Sequence, residues 1–219
     1  MLFVLGVIIL GLFGVFNKQS KEEIFWNWFQ KNSDRLFVVD ENNTEIFKYL
    51  TKEINKIDSN LTFEFAPVKD GKREFIISAS GIKASFPAVE RLYKAQPILE
   101  KWIIVKYRPR ISQVLALKIG EVNIEPKDVR YLLFKDENPA KAGILLFIQD
   151  FKTTKDSLFE QAGYLILDSA IGEYDMETYI GAIDIVGFDS EHYSKSLPID
   201  ELAQDFDNWK TSKLLRNFD

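Results

Sequence analysis

Residues 61–78 read LTFEFAPVKDGKREFIIS. Apolar and polar side chains alternate at 61–65, and 74–78 is rich in aromatic and β-branched residues, as is typical of strands. Between them, residues 69–72 carry an Asp-Gly pair, which is the strongest short-range signal of a tight hairpin turn. The stretch therefore predicts an antiparallel β-hairpin, and with it a β-sheet, in the first half of the chain.

Helices flank this hairpin on both sides. Residues 20–33 and 43–57 each place apolar side chains on one helical face, and 86–95 predicts a helix with Pro87 in its first turn. We also predict strands at 101–107, 113–119, 129–135, 143–149 and 178–187, and helices at 155–171 and 200–214. Runs of strands with helices at either end favour an α+β fold in which helices cover one face of a mainly antiparallel sheet.

The first sixteen residues carry no charged side chain, and the first charge is Lys18. As a helix they would be roughly 24 Å long, somewhat less than the roughly 30 Å of a bilayer core. Nothing basic precedes the stretch, and no small-x-small cleavage site follows it, which disfavours a cleaved signal peptide. We therefore expect an N-terminal hydrophobic anchor helix at 1–17 that contacts the membrane through residues 2–16.

Lys18 and Lys21 follow the apolar stretch, so the positive-inside rule predicts that the remainder faces the cytoplasm. The expected location is the inner or cell membrane, with a single span. We expect residues 18–219 to form a single α+β domain. Two alternatives stay open, namely a signal peptide, and a leader that packs on its own domain or results from a misassigned start.

Composition excludes several classes of function. The 219 residues carry a net charge of −5 with both signs interspersed, which argues against a nucleic-acid partner. Because there is no cysteine, disulfides, thiolate catalysis and cysteine-bound zinc or iron–sulfur sites are excluded. His192 is the only histidine, which leaves little room for a catalytic triad or a two-histidine metal site. We expect no cofactor and no metal.

Short motifs follow one another in a specific order. They are Phe25-Trp26-x-Trp28-Phe29, Phe63-Glu64-Phe65, Lys72-Arg73-Glu74-Phe75, Phe86-Pro87, Trp102, Arg108-Pro109-Arg110 and Gly172-Glu173-Tyr174-Asp175-x-Glu177-Thr178. Over about residues 24–206 this order resembles an uncharacterised group of bacterial soluble proteins. The resemblance implies an α+β domain from a bacterium and brings no established activity with it. Members of that group typically begin near the first motif, so the apolar leader would be an addition.

Three carboxylates are the candidate catalytic residues. Asp168 is a polar exception in the apolar second half of the helix predicted at 155–171, and Glu173 and Asp175 follow in a predicted loop and strand. Carboxylates crowded in a partly apolar cleft can divide the roles of general acid and base, because desolvation separates their pKa values. They can also bind a hard cation. Alternatively, they mark only a solvated helix edge and a polar turn.

Arg108 and Arg110 are the candidate ligand-binding residues. Two guanidinium groups held apart by Pro109 could grip a phosphate or carboxylate in bidentate fashion. They could also pair with the acidic loop, or they could be two exposed arginines at a strand end.

The sequence most favours a membrane-anchored module that binds a protein or a ligand and faces the cytoplasm. A carboxylate-dependent, cation-assisted hydrolase is one alternative, with Asp168, Glu173 and Asp175 as catalytic groups and an arginine as electrophile. A scaffold or assembly protein that uses an exposed sheet edge or an aromatic patch is another. Convergence of the carboxylates and an arginine on one pocket would favour the hydrolase.

Overall fold

A computed structural model of the chain describes residues 18–39, 45–111, 113–151 and 156–216. The anchor helix predicted at 1–17 lies outside these residues. Within the described ranges, no helix combines the length and the apolar character needed to cross a membrane.

Residues 18–107, which we call the first half, alternate helices and strands. Their elements are α1 (Lys21–Phe37), α2 (Glu45–Asn55), β1 (Thr62–Phe65), β2 (Arg73–Ser78), α3 (Phe86–Lys94) and β3 (Trp102–Lys106). The predicted hairpin is confirmed, since β1 and β2 pair antiparallel with Phe65 opposite Phe75. Asp70 and Gly71 both have positive φ, 51° and 74°, as a type I′ turn requires.

Residues 108–216, the second half, begin with a small hairpin and continue into a larger sheet. Their elements are β4 (Leu117–Ile119), β5 (Val122–Ile124), β6 (Val129–Lys135), β7 (Ala142–Ile148), α4 (Asp156–Ile171), α5 (Glu173–Tyr179), β8 (Ile180–Val186), β9 (Leu197–Pro198) and α6 (Leu202–Arg216). Three short elements, β5, α5 and β9, were not predicted from the sequence. In particular, Glu173 and Asp175 lie on helix α5, where a loop and a strand were expected.

The α+β class is confirmed. The described strands form three sheets where one was predicted, and four of their six pairings are antiparallel while two are parallel. The described strands form sheets in the orders β1-β2-β3, β4-β5 and β8-β7-β6-β9. β2 and β3 run parallel, and so do β7 and β8. A parallel pair needs a long crossover, which α3 provides in the first half and α4 with α5 in the second. Both halves therefore contain an antiparallel pair followed by a helical crossover to a parallel strand, β1-β2-α3-β3 in the first and β6-β7-α4-α5-β8 in the second, although the sequence has no visible repeat.

Each half has its own cluster of buried apolar side chains. In the first half, Phe25, Trp26 and Phe29 of α1 pack against Phe75 on the sheet. The buried indole of Trp26 donates from Nε1 to the Leu92 carbonyl oxygen at 2.8 Å, which joins α1 to α3. In the second half, α4 and α6 cover the central strands β6 and β7. The single domain expected at residues 18–219 stays a prediction. The described residues contain two clusters of buried apolar side chains, one in each half.

Candidate functional site at the junction of the two halves

The chain passes from the first half to the second at Tyr107, which has an unusual backbone. Its φ is 63°, a left-handed value that is uncommon for a bulky residue and costs about 1–3 kcal/mol. The Tyr107 N–H donates to the Ile77 carbonyl at 2.7 Å, and its ring packs between Phe86 and Tyr174. These contacts hold the strained residue in place, so the following arginine is turned toward the second half.

Glu173, the first residue of α5, is completely buried at this junction. Its Oε1 accepts from the backbone N–H groups of Ala79, at 2.9 Å, and Gly81, at 3.3 Å, while Oε2 accepts from the N–H of Arg108 at 2.9 Å. Ser80 and Gly81 have φ of 51° and 73°, so they form a turn of the kind that can direct amides at an anion. Three amide donors offset the cost of burying the carboxylate. Glu173 therefore fastens α5 to the first half.

Arg108 bridges three elements with its guanidinium group. Its Nη1 donates to Asp168 Oδ2 on α4 at 2.8 Å, and its Nη2 lies 3.4 Å from the Ser80 hydroxyl. Its Nε is 2.7 Å from Glu64 Oε1 on β1, but the N–H direction does not satisfy hydrogen-bond geometry, so this contact is an ion pair only. The arginine thus neutralises one carboxylate from each half.

Asp168 has the most altered acidity among the predicted site residues. Its pKa is raised from 3.8 to about 6, mainly by burial and also by the nearby carboxylates of Glu173 and Glu177, although the positive charge of Arg108 acts in the opposite direction. Burial also raises the pKa of the half-buried Glu177. With a pKa of about 6, the carboxyl group of Asp168 can exchange a proton near neutral pH.

Arg110 and Asp175 belong to a second ionic group, on the side of α6. Arg110 forms a bidentate pair with Asp207, at 2.9 Å for both nitrogen–oxygen distances, and its Nη2 lies 3.5 Å from Asp175 Oδ2. The hydrogen bonds to Asp207 raise the pKa of Arg110. Lys210 donates to both oxygens of Asp175, at 2.7 and 2.9 Å. This group joins α5 and α6 to residues 107–110, which we call the chain crossing because the chain passes there from the first half to the second.

The five predicted site residues therefore fall into two ionic groups. The guanidinium group of Arg110 pairs with Asp175 of the acidic segment, as expected, whereas that of Arg108 pairs with Asp168 and Glu64. Glu64, Asp207 and Lys210 complete these pairs, and none of them was a predicted site residue. Asp207 is 97 residues from Arg110, and no spacing pattern connects the two. Among the described residues, no group of three or more histidine, cysteine or carboxylate side chains could hold a metal ion.

A cleft of about 660 Å³ lies away from these ion pairs, on the first sheet. Its lining residues are Ala66, Pro67, Lys69, Asp70, Lys72, Glu74 and Ile103. Ile103 belongs to β3, which is the last strand of its sheet within the described residues. The Arg73 N–H bonds to the Lys101 carbonyl, and the Tyr107 N–H bonds to the Ile77 carbonyl. Residues 101 and 107 therefore direct their backbone groups toward β2. Because this direction alternates from one residue of a strand to the next, Ile104 and Lys106 direct their N–H and C=O groups away from β2.

No protein-family model matches this chain, and no curated protein matches it at a significant level.

Proposed function

We propose that this chain is a membrane-anchored binding module that takes up an extended segment of a partner protein at the edge of β3. The observation that carries the proposal is the position of the cleft beside an open strand edge. Backbone groups at such an edge can pair with an added strand, while a neighbouring cleft selects a side chain.

The cleft has the chemistry that this mode of binding needs. Ile103 is 44% exposed, and together with Ala66 and Pro67 it offers an apolar floor. Lys69 and Lys72 also line the cleft, together with Asp70 and Glu74, so a bound segment can meet charged groups of either sign there. We expect the bound segment to insert one apolar side chain between these charges and to add main-chain hydrogen bonds to β3.

The pairing of the charged residues at the junction supports binding over catalysis. The Glu173 carboxylate already accepts from three amides, and Asp175 is held by Lys210. Arg108, the predicted electrophile, is engaged by Asp168 and Glu64. A hydrolase would have to break these pairs before the groups could act on a substrate.

The test of the binding site is a selection of random peptides on the full-length chain held in lipid nanodiscs. Enriched peptides should bind at least tenfold more weakly to Ile103→Asp, which places a charge in the cleft. Lys106→Pro should weaken them as well, because it removes an outward N–H and leaves the β2–β3 bonds intact. Leu115→Asp is the matched control, since Leu115 is an exposed aliphatic residue of the second half. Peptides that bind Ile103→Asp and the parent chain equally would refute the site.

The membrane anchor at residues 2–16 and its cytoplasmic orientation belong to the same proposal. They are tested by fractionating cells that express the full chain or a version beginning at Lys18, with protease added to intact membranes. We expect the full chain in the membrane at unchanged mass and shielded from external protease. Loss of mass would indicate export, and a full chain outside the membrane fraction would refute the anchor.

The raised pKa of Asp168 favours a second candidate, the carboxylate-dependent hydrolase. In that case Asp168 would be the general acid, with Arg108 stabilising developing negative charge. A screen of ester, phosphodiester and glycoside substrates should then reveal turnover with an apparent pKa near 6, and Asp168→Asn should abolish it. The absence of turnover in the parent chain, together with peptide binding at β3, would reject this candidate.

A further inference from the structure

We infer that the end of the first half at which α1 begins rests on anionic lipid headgroups. We call this surface the exit face and define it by Lys18, Lys21, Ile24, Arg91 and Lys94. The inference rests on the anchor in the proposed function and adds which side of the domain meets the bilayer.

The start of α1 is fixed by a capping box. The Glu23 N–H donates to the Ser20 hydroxyl at 3.1 Å, and the Ser20 N–H donates to the Glu23 carboxylate at 2.8 Å. From Asn17 to Ser20 the chain has four residues, which span at most about 14 Å when extended. A membrane span that ends at Phe16 therefore keeps the first turn of α1 close to the bilayer surface.

Basic side chains of two helices meet at this end. Lys18 and Lys21 are exposed, and Arg91 is drawn from α3 to the first turn of α1 by its ion pair with Glu22 at 3.0 Å. The Arg91 side chain nevertheless remains 58% exposed. Lys94 is one turn further along α3, at i+3, and so lies on the same side of that helix.

Acidic neighbours do not cancel this charge. Glu22 is paired with Arg91, and Glu23 is bound in the capping box. Glu90, also on α3, is turned to Lys106 on β3. The four basic residues of the exit face and the two carboxylates of Glu22 and Glu23 together give it a net charge of about +2. Each Lys or Arg at an anionic surface strengthens binding about fivefold.

Ile24 supplies an apolar contact within the same surface. It lies one turn after Lys21 on α1 and is 47% exposed, while its neighbour Phe25 is buried in the core. An exposed apolar side chain beside a lysine on the same helix is typical of protein surfaces that lie at the headgroup boundary.

The test uses single introduced cysteines, because the chain has none of its own. The full-length chain is labelled with a fluorophore at Ile24→Cys or, as the control, at Leu115→Cys. Each protein is incorporated into nanodiscs that contain a headgroup-attached quencher, with either anionic or zwitterionic lipid. We expect the label at position 24 to be quenched at least threefold more than the label at position 115 in anionic discs.

High salt should reduce that difference, since it screens charges beyond a Debye length. The double variant Lys21→Glu, Lys94→Glu should also reduce it while leaving the Arg91–Glu22 pair intact. Equal quenching at both positions in incorporated protein would overturn the exit face and leave the anchor standing. Failure of the chain to enter the discs would overturn the anchor, and the inference with it.

Discussion

Arg108 and Glu173 are bound to each other reciprocally. The Arg108 N–H donates to the Glu173 carboxylate at 2.9 Å, and the Glu173 N–H donates to the Arg108 carbonyl at 3.0 Å. The two residues are 65 positions apart, yet this double contact fixes the chain crossing against the start of α5. Since the same carboxylate holds the turn after β2, one side chain joins three segments of the fold.

Replacing Glu173 with glutamine should therefore destabilise the protein strongly. The carboxylate accepts on both oxygens, whereas an amide has one oxygen and one NH₂ group. Either orientation of the amide would set a donor against a backbone donor in a buried site, at a cost of about 2–4 kcal/mol. Urea unfolding of the variant measures the loss in the free energy of unfolding.

Glu177→Gln is the matched control for this experiment. Glu177 is on the same helix and half-buried, and among the residues that the structure describes no backbone amide donates to its carboxylate. Its substitution should change the free energy of unfolding by less than about 1 kcal/mol. Equal losses for the two variants would contradict the fastening role of Glu173.

Asp168 should make the protein less stable as the pH rises from about 4 to about 6. Its pKa is raised to about 6 in the folded protein, mainly by burial, so in this window the folded state binds more protons than the unfolded state. Stability associated with this group is therefore present at low pH and is lost on its ionisation. Asp168→Asn removes the titration and should gain up to about 3 kcal/mol relative to the parent chain between pH 4 and pH 7.

Urea midpoints of the two proteins, measured in parallel across that pH range, give this difference directly. A constant difference at all pH values would contradict the raised pKa. A variant that loses stability relative to the parent as the pH rises would show instead that the Arg108 ion pair outweighs the burial of Asp168.

The elements that were predicted well are those specified by local chemistry. The β1–β2 hairpin follows from alternation and an Asp-Gly turn, and α1 follows from an apolar stripe on one helical face. The parallel pairing of β2 with β3 depends on a crossover by α3, which no local pattern reveals. Helix α5 has only seven residues, most of them polar, so no helical period of apolar residues could be recognised in the sequence.

The candidate site was predictable only in part, for a similar reason. Arg108-Pro109-Arg110 and the acidic segment attract attention as charged motifs, and their mutual attraction could be expected. The burial of Glu173 could not, because its partners Ala79 and Gly81 are 94 and 92 residues away. A turn that offers backbone amides leaves no side-chain signature in the sequence.

Gly163→Ala should destabilise the protein although alanine is the better helix former. An exposed helical glycine would gain about 1 kcal/mol from this change. Gly163, however, faces the sheet, where an added Cβ would lie 2.4 Å from Ile185 Cδ1 and 3.1 Å from Leu146 Cδ2. Overpacking of this kind costs about 1–3 kcal/mol, so we expect a net loss of about 1 kcal/mol.

Ile185→Val provides the check on that explanation, because it deletes the Cδ1 atom that the new methyl group would meet. The double variant should recover most of the stability lost by Gly163→Ala, which a double-mutant cycle of urea unfolding measures. If Gly163→Ala stabilises the protein, α4 does not approach the sheet closely at this point.

Two of the eight tyrosines should resist ionisation until the protein unfolds. Burial, followed by hydrogen bonds to Glu90 and Asp205, raises the pKa of Tyr107 and Tyr131 far above the ordinary value of about 10. Above that pH the folded state retains protons that the unfolded state releases, so stability falls as the pH rises. At about pH 11, tyrosinate absorbance should show a late phase equal to two residues that coincides with the loss of far-ultraviolet circular dichroism. Tyr131→Phe should reduce this phase to one residue, whereas ionisation of all eight tyrosines in the folded protein would contradict the burial of both hydroxyl groups.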